Sequence, residues 1–425
     1  MGFGQGLSGL NASSKQLDVI GNNIANAQTV GFKAAQAQFA DVYANSLNGS
    51  GAGQVGIGVK VSAVAQQFTQ GNITPTQNPL DIAISGAGFF RMSDNGAISY
   101  TRNGQFHLDD NGFITNAQGL QLTGYPVSAS TGLILAGTPV PMHINTKDLV
   151  PKMTTEADAQ LNLDSRAALP TVTPFNPLDP NSYTQSTPVD IYDSLGNKHS
   201  LQTFYVKTGP APAVAGPGAW DVFATLDGVA VPAAATTIAK LTFDTQGKLD
   251  PVATTPVTVP LYTFSINLST VTQAAGASAQ TMTYSVTGST QFGAAYSLNA
   301  LHQDGYTSGK LSKFNTGPDG TILGTYTNGQ TAVLGQLVLS NFTDPNGLQS
   351  VGNNQWIETS ESGPPLAGVP STSGLGTLTS SATEDSNTDL TAELVNMITA
   401  QRVYQANAQT IKTEDQILQT LVNLR

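Results

Sequence analysis

The chain has 425 residues, of which 11% are charged, against about 25% in an average soluble protein. Seventeen Lys and Arg against 28 Asp and Glu give a net charge of −11, which excludes the basic face that a nucleic-acid binder needs. Cys is absent, which excludes a disulfide-stapled mini-fold, and 39% apolar residues are too many for a wholly disordered chain. Asn, Gln, Ser, Thr, Gly and Ala fill the space left by the missing charges.

The N-terminus, MGFGQGLSGLNASSKQLDVIGNNIAN, has its first basic residue at Lys15 and no apolar run behind it, so a cleaved secretory signal is not expected. No stretch approaches the roughly 18 apolar residues of a transmembrane helix, so membrane insertion is not expected. Gly6 stands where N-myristoylation favours Ser or Thr. The chain is expected in the cytoplasm, or outside the cell by a route that cleaves nothing.

Residues 3–27 carry a helical stripe of heptad spacing. Leu10, Leu17 and Ile24 lie seven apart, and Ser13, Ile20 and Ala27 follow each by three, an a/d seam with small residues at two d positions. Residues 55–380 then read as β structure, short Val/Ile/Thr/Tyr/Phe runs broken by Gly, Asn, Asp and Pro. VGIGVKVSAVAQQF at 55–68 alternates well. One corner recurs three times: Phe106 to Ile114 with Gly112, Phe243 to Leu249 with Gly247, and Phe314 to Ile322 with Gly320. Each puts Gly just before a strand start, where positive φ costs it nothing.

Residues 145–185 and 208–260, rich in Pro, Ala and Thr, predict a looser inserted domain, with strands 55–145 and 300–358 forming the domain around it. Residues 359–388 read as linker. The strongest periodicity closes the chain: Leu390, Met397, Tyr404, Ile411 and Leu418 form one ladder, and Leu394, Gln401, Ala408, Asp415 and Val422 lie four after each. One long helix is predicted over 389–423, with Asp389 as N-cap and Glu393 in its positive first turn. A surface helix on a globular core would explain either stripe alone. Pairing the two ends as a coiled coil uses both. Gly21 weakens the first helix, and isolated helices are marginal in water, so the ends are expected to order only when neighbouring subunits cover the seams.

Catalytic and ligand motifs fail in context. Gly51 to Gly56 matches GxGxxG, but a strand pattern follows it where a dinucleotide site needs a helix. Gly305 to Lys310 is one residue too short for a P-loop. Asp109 to Gly112 would place His107 and Gln118 at the ends of a calcium loop, so no bidentate Glu exists. His107, His143, His199 and His302 are scattered, and no motif of metal-ligand or nucleophile spacing stands out. No catalytic, cofactor or metal residues are therefore expected.

SGLNASSKQLDVIGNNIANAQTVGFK (8–33), with Asn22, Asn23, Ile24, Ala25, Asn26, Thr29, Gly31, Phe32 and Lys33 at its core, closely resembles the N-terminal signature of bacterial flagellar axial proteins of the rod and hook. Residues 389–424 are similar to the matching C-terminus, and 71–90 and 100–126 to segments shared by rod and hook members. VDIYDSLGNKHSLQTFYVKT (189–208) and residues 304–348 are similar to hook members specifically.

The resemblance implies a non-enzymatic structural polymer: a curved, flexible tube outside the cell, joining rod to filament as a universal joint and transmitting torque. It implies export through the flagellar type III apparatus without signal cleavage. The partners it implies are copies of the chain itself, the distal rod protein, the hook cap protein and the hook–filament junction protein. It also implies that Asn22, Asn23 and Asn26 bond across helices between subunits, and that Phe32 anchors against a neighbour.

The resulting division is a coiled-coil helix at 1–28 pairing with 385–425, an extended linker or hairpin at 29–70, and a β domain at 71–147 and 296–360. An outer β domain is inserted at 148–295, and 361–384 is linker. The expected seam and subunit interface comprises Leu10, Leu17, Ile20, Ile24, Leu390, Leu394, Met397, Tyr404, Ile411, Leu418 and Val422. Two other readings stand beside this one: a distal rod or other axial protein, which would lack the insertion, and a β-rich surface adhesin or glycan-binding protein, which would need no heptads at its ends.

Overall fold

The computed structural model describes residues 2–42, 56–128, 131–209, 218–232, 236–256, 262–273, 276–372 and 374–423. Residues 51–55 of the GxGxxG match lie outside them. The chain forms two units, one built from 1–146, 312–325 and 331–425, the other from 147–311 and 326–330. The expected class holds: mainly β, with one β domain inserted in another and helices at both ends packed together.

The first unit begins with helix α1 (Gly2–Ala25), followed by an antiparallel hairpin of strands β1 (Ala35–Val42) and β2 (Gly58–Gln66). Its main sheet sets strands Thr331–Leu337, Gln121–Pro126, Phe89–Asp94, Ala97–Thr101 and Gln355–Ile357 side by side, each antiparallel to the next. Phe89, Tyr100, Phe342 and Trp356 fill one core of this unit, with rings meeting edge to face at 4.8–6.0 Å. Helix α2 (Leu390–Asn423) closes the chain. Asp389 caps it as expected, its Oδ1 accepting from the amides of Thr391 at 2.9 Å and Ala392 at 3.1 Å.

Residues 361–384 are more than the expected linker. Thr377–Ser380 pairs with Ile82–Ser85, and Ala382–Glu384 with Ile73–Pro75. Ser/Thr-rich edge strands this short carry too little apolar alternation to be read from sequence.

The second unit has two sheets. Strands Gln185–Tyr192, Lys198–Gly209, Gly218–Leu226 and Ala239–Phe243 form one, and Thr263–Asn267, Thr281–Ser285, Glu156–Asn162 and Ser297–Gln303 the other. Their inward residues meet in a single core that includes Trp220, Tyr205, Tyr284, Leu161 and Ile266. This corrects the expectation of a looser insert. Period-2 burial at Ala157, Ala159 and Leu161 and at Thr187, Val189 and Ile191 supplies a sandwich interior whatever the composition of its loops.

The three predicted corners are built alike. Gly112, Gly247 and Gly320 have φ of 83°, 77° and 81°. At the first two, Asp109 and Asp244 accept both the second and the fourth following amide on Oδ1. Asp193 with Gly196 repeats the device at a place the sequence pattern left unmarked.

That same Asp193 helps enclose His199. The ring lies 2.7 Å from Asp227 through Nδ1 and 3.4 Å from Asp193 through Nε2, so a protonated ring donates on both sides. Burial disfavours the imidazolium, but the hydrogen bonds and charges of the two carboxylates outweigh it and raise the pKa above 6.5. A raised folded-state pKa stabilises fully below the unfolded value, and that stabilisation disappears as pH rises through the folded value. Unfolding of the second unit, followed by Trp220 fluorescence, is expected to become easier from about pH 6 upward. His199→Gln is expected to remove that slope. An unchanged slope in this variant would assign it to other groups.

Candidate functional site: the paired terminal helices and their anchor

α1 contains Gly4, Gly6, Gly9 and Gly21, too many for helix propensity to sustain it alone. It forms against two surfaces. On one side it runs antiparallel to α2. A Cβ on Gly6 would stand 3.1 Å from Ile411, one on Gly9 2.8 Å from the Asn407 side chain, and Asn23 reaches Glu393. The glycines thus set how closely the axes approach. Ser13 turns its hydroxyl back onto the Gly9 carbonyl at 2.8 Å, which keeps a buried polar group satisfied beside Ala12 and Ile20. On its other side α1 meets the hairpin, with Gln5 donating to the Gly56 carbonyl at 2.6 Å and the Val59 amide to Ser8 at 3.3 Å.

Both ends are therefore helical within a single chain, contrary to the expectation that subunits must assemble first. The hairpin and a polar anchor, neither of them part of the heptad seam, also tie α1 down.

The axial signature forms that anchor. Asn26 donates to the Asn22 carbonyl at 2.9 Å, and the Thr29 hydroxyl donates to Asn26, which winds the helix exit. Asn22 and Ala25 are exposed. Asn23 does not reach a neighbouring subunit: it is buried in its own chain. Its amide accepts from the Ala35 amide at 2.9 Å and donates to the Ala35 carbonyl at 2.8 Å and to Glu393 at 2.9 Å. It therefore acts as a strand residue would toward β1 and as a bridge to α2. Phe32 is likewise buried in its own chain. Gly31 has φ of 71°, and a Cβ there would fall 2.5 Å from the Asn103 amide nitrogen, so no other residue fits.

Lys33 is fully buried. Its Nζ meets Glu384 at 2.6 Å and donates to the Thr69 carbonyl at 2.8 Å. Glu384 also accepts from Arg102 at 3.2 Å and from the Gly71 amide at 2.9 Å, and its carbonyl accepts from the Gly31 amide at 2.7 Å. Arg102 adds a bond to the Gly86 carbonyl at 2.8 Å and lies over the Phe89 ring. Desolvation lowers the pKa of Lys33, opposed by Glu384 and assisted by Arg102. Desolvation lowers that of Arg102 too. The carboxylate is what keeps two buried cations tolerable. Sequence reading marked Lys33 but neither Glu384 nor Arg102. An acidic residue between Thr383 and Asp385 in a supposed linker gave no sign of burial.

The expected seam divides. Ile20 is buried, and Leu10, Leu17, Ile24, Met397 and Ile411 are half-buried. Leu390, Leu394, Tyr404 and Leu418 are exposed, and the Val422 side chain lies outside the described residues. With 3.6 residues per turn, one face of α2 covers α1 while the rest of a two-strand ladder turns outward. Val395, Ile398, Phe3 and Leu7 extend the exposed apolar surface. Among the described residues no helix is long and apolar enough to cross a membrane. Among the described residues no group of His, Asp and Glu could hold a metal.

Family models match along the chain: the flagella basal body rod protein at 5–33, the flagellar hook protein FlgE/F/G D1 domain at 83–162, the flagellar basal body protein FlaE D2 domain at 162–306, and the flagellar basal body rod FlgEFG protein C-terminal at 379–424. Terminal helices joined by a shared anchor, with β domains between them, thus define a protein of the flagellar rod and hook class. The flagellar hook protein FlgE of Escherichia coli strain K12 is 45% identical over 428 residues, covering 100% of both chains, and that of Borreliella burgdorferi is 31% identical over 451 residues, covering 99% of this chain and 98% of the relative. The crystal structure of Helicobacter pylori flagellar hook protein FlgE2 shares the fold, with TM-score 0.50 over 72% of this chain and 98% of its own at 14% identity. The chain belongs to the flagellar hook protein family.

Proposed function

We propose that this chain is the structural subunit of a bacterial flagellar hook, self-assembling into a curved, flexible tube that joins rod to filament and carries torque between them. The family is structural, and the reading gives the chain no catalytic role. The observation that carries it is the exposed apolar surface of the two terminal helices, which a lone soluble chain has no reason to keep. Identical chains bury such a surface through head-to-tail contacts, which open into a helical filament when the rotation between copies does not close.

The sparse charge suits bending, because weak neutral contacts can change spacing as the tube turns while fixed ion pairs hold one geometry. In this reading the chain reaches the outside through the flagellar type III export apparatus with its N-terminal region uncleaved. It then adjoins the distal rod protein, the hook cap protein and the hook–filament junction protein.

Electron microscopy of the purified, concentrated chain tests the proposal. Tubes of uniform diameter are expected. Persistent monomers under all assembly conditions, with a saturable glycan ligand, would replace it with the adhesin reading.

A further inference from the structure

A cleft of about 310 Å³ opens between α1, β1 and the first turns of α2. Its polar lining is Gln16, Asn23, Gln36, Gln67, Glu393 and Asn396. Glu393 is half-buried there and accepts from Asn23 at 2.9 Å, and no Lys or Arg of the described residues pairs with it. A carboxylate among amide groups, in a cleft large enough for a side chain, is a receptor for a planar cation. The amide oxygens can accept the donors that the carboxylate does not take.

The same helix carries the complementary group. Arg402 is exposed and has no acidic partner among the described residues. It lies nine residues after Glu393, which on an α-helix is about half a turn away in angle and about 13 Å along the axis. The two point to opposite faces and cannot meet within one chain. In a head-to-tail assembly, however, one face of each subunit meets a different face of the next.

We infer that the Glu393 cleft receives the Arg402 guanidinium of a second copy, so that each copy donates one arginine and accepts another. The chain's other helix cations, Lys15 and Lys412, offer a compact point charge that cannot satisfy a carboxylate and its flanking amides together. The scarcity of charge gives the contact its weight, because one desolvated pair can fix register where few others compete. The inference rests on the polymer reading above and adds to it a named contact.

The test uses the full chain and measures the critical concentration for tube formation, with circular dichroism checking the monomer's fold. Glu393→Arg and Arg402→Glu are each expected to raise the critical concentration at least tenfold, and the double reversal to restore most of it. Should Glu393→Arg disturb the fold, Glu393→Gln keeps the acceptor for Asn23 and removes only the charge. A cycle of Glu393→Gln with Arg402→Gln is then expected to be non-additive, the second substitution adding little once the first is made. Normal assembly of Arg402→Glu, an additive cycle, or rescue of Glu393→Arg by Lys15→Glu or Lys412→Glu instead would each overturn the pairing. Wild-type chain that forms no tubes at all would instead sink the polymer reading on which the pairing rests.

Discussion

Glu384→Gln is expected to destabilise the helix-bearing unit by about 3–5 kcal/mol, the range found when one member of a buried ion cluster is removed. The substitution preserves shape and leaves an acceptor for the Gly71 amide. What it takes away is, among the described residues, the only anion facing two cations that are 0% and 3% exposed. Those cations then stay buried without a counter-charge, or water enters and the joint between residues 31–33, 69–71, 102 and 384 opens. Lys33→Met is expected to cost less, because it leaves Arg102 and Glu384 as a neutral pair. The chain has two tryptophans, one in each unit's core, so urea unfolding in a Trp220→Phe background reports this unit through Trp356. A loss under about 1 kcal/mol for Glu384→Gln would place the cluster with exposed ion pairs and sink the anchor argument.

Removing residues 389–425 is expected to abolish tubes while leaving a soluble, folded β monomer. The cut falls after Glu384 and Asn387, so the buried cluster and the Asn387 bonds to Ala34 and Gln67 survive. α1, however, loses the partner that fits its Gly6 and Gly9 groove. The drop in helical circular dichroism should therefore exceed the share of the deleted 34-residue helix, because α1 frays with it. Both tryptophan transitions should persist. Unchanged polymerisation would remove the helices from the assembly interface, and collapse of the Trp356 transition would place them in the globular core.

Elements with a strong local period were legible in the sequence. The Met397 and Ile411 ladder, the Asp389 cap, and the corners at Gly112, Gly247 and Gly320 each carry their cause within a few neighbouring residues. The signature around Asn22 to Lys33 identified the class, yet its chemistry was misplaced. Asn23 and Phe32 were expected between subunits and lie inside the chain. An amide on a helix looks the same in sequence whether it faces a neighbour or its own β1. Glu384 was illegible for a further reason, since its partners Lys33 and Arg102 lie 351 and 282 residues away and leave no local period. The strands at 377–384 were missed because each is three or four residues long with one buried apolar residue, Leu378 or Ala382, too short to show a repeat.

The Lys33 to Glu384 contact also has a kinetic side. A bond that closes a span of 351 residues is a contact of high order, and Asn23 to Glu393 beside it spans 370. A polypeptide emerging N-terminus first presents Lys33 early, with the Thr69 carbonyl at hand, and must wait for its carboxylate while residues 147–311 of the inserted unit pass. The sandwich, whose strands all lie within that stretch, has every partner it needs long before. The strands of the insert thus have all their partners before Glu384 has emerged, whereas the anchor can close only as the last forty or so residues arrive. α2 follows Glu384 in the chain, so the pairing of the two helices comes after every strand partner is present.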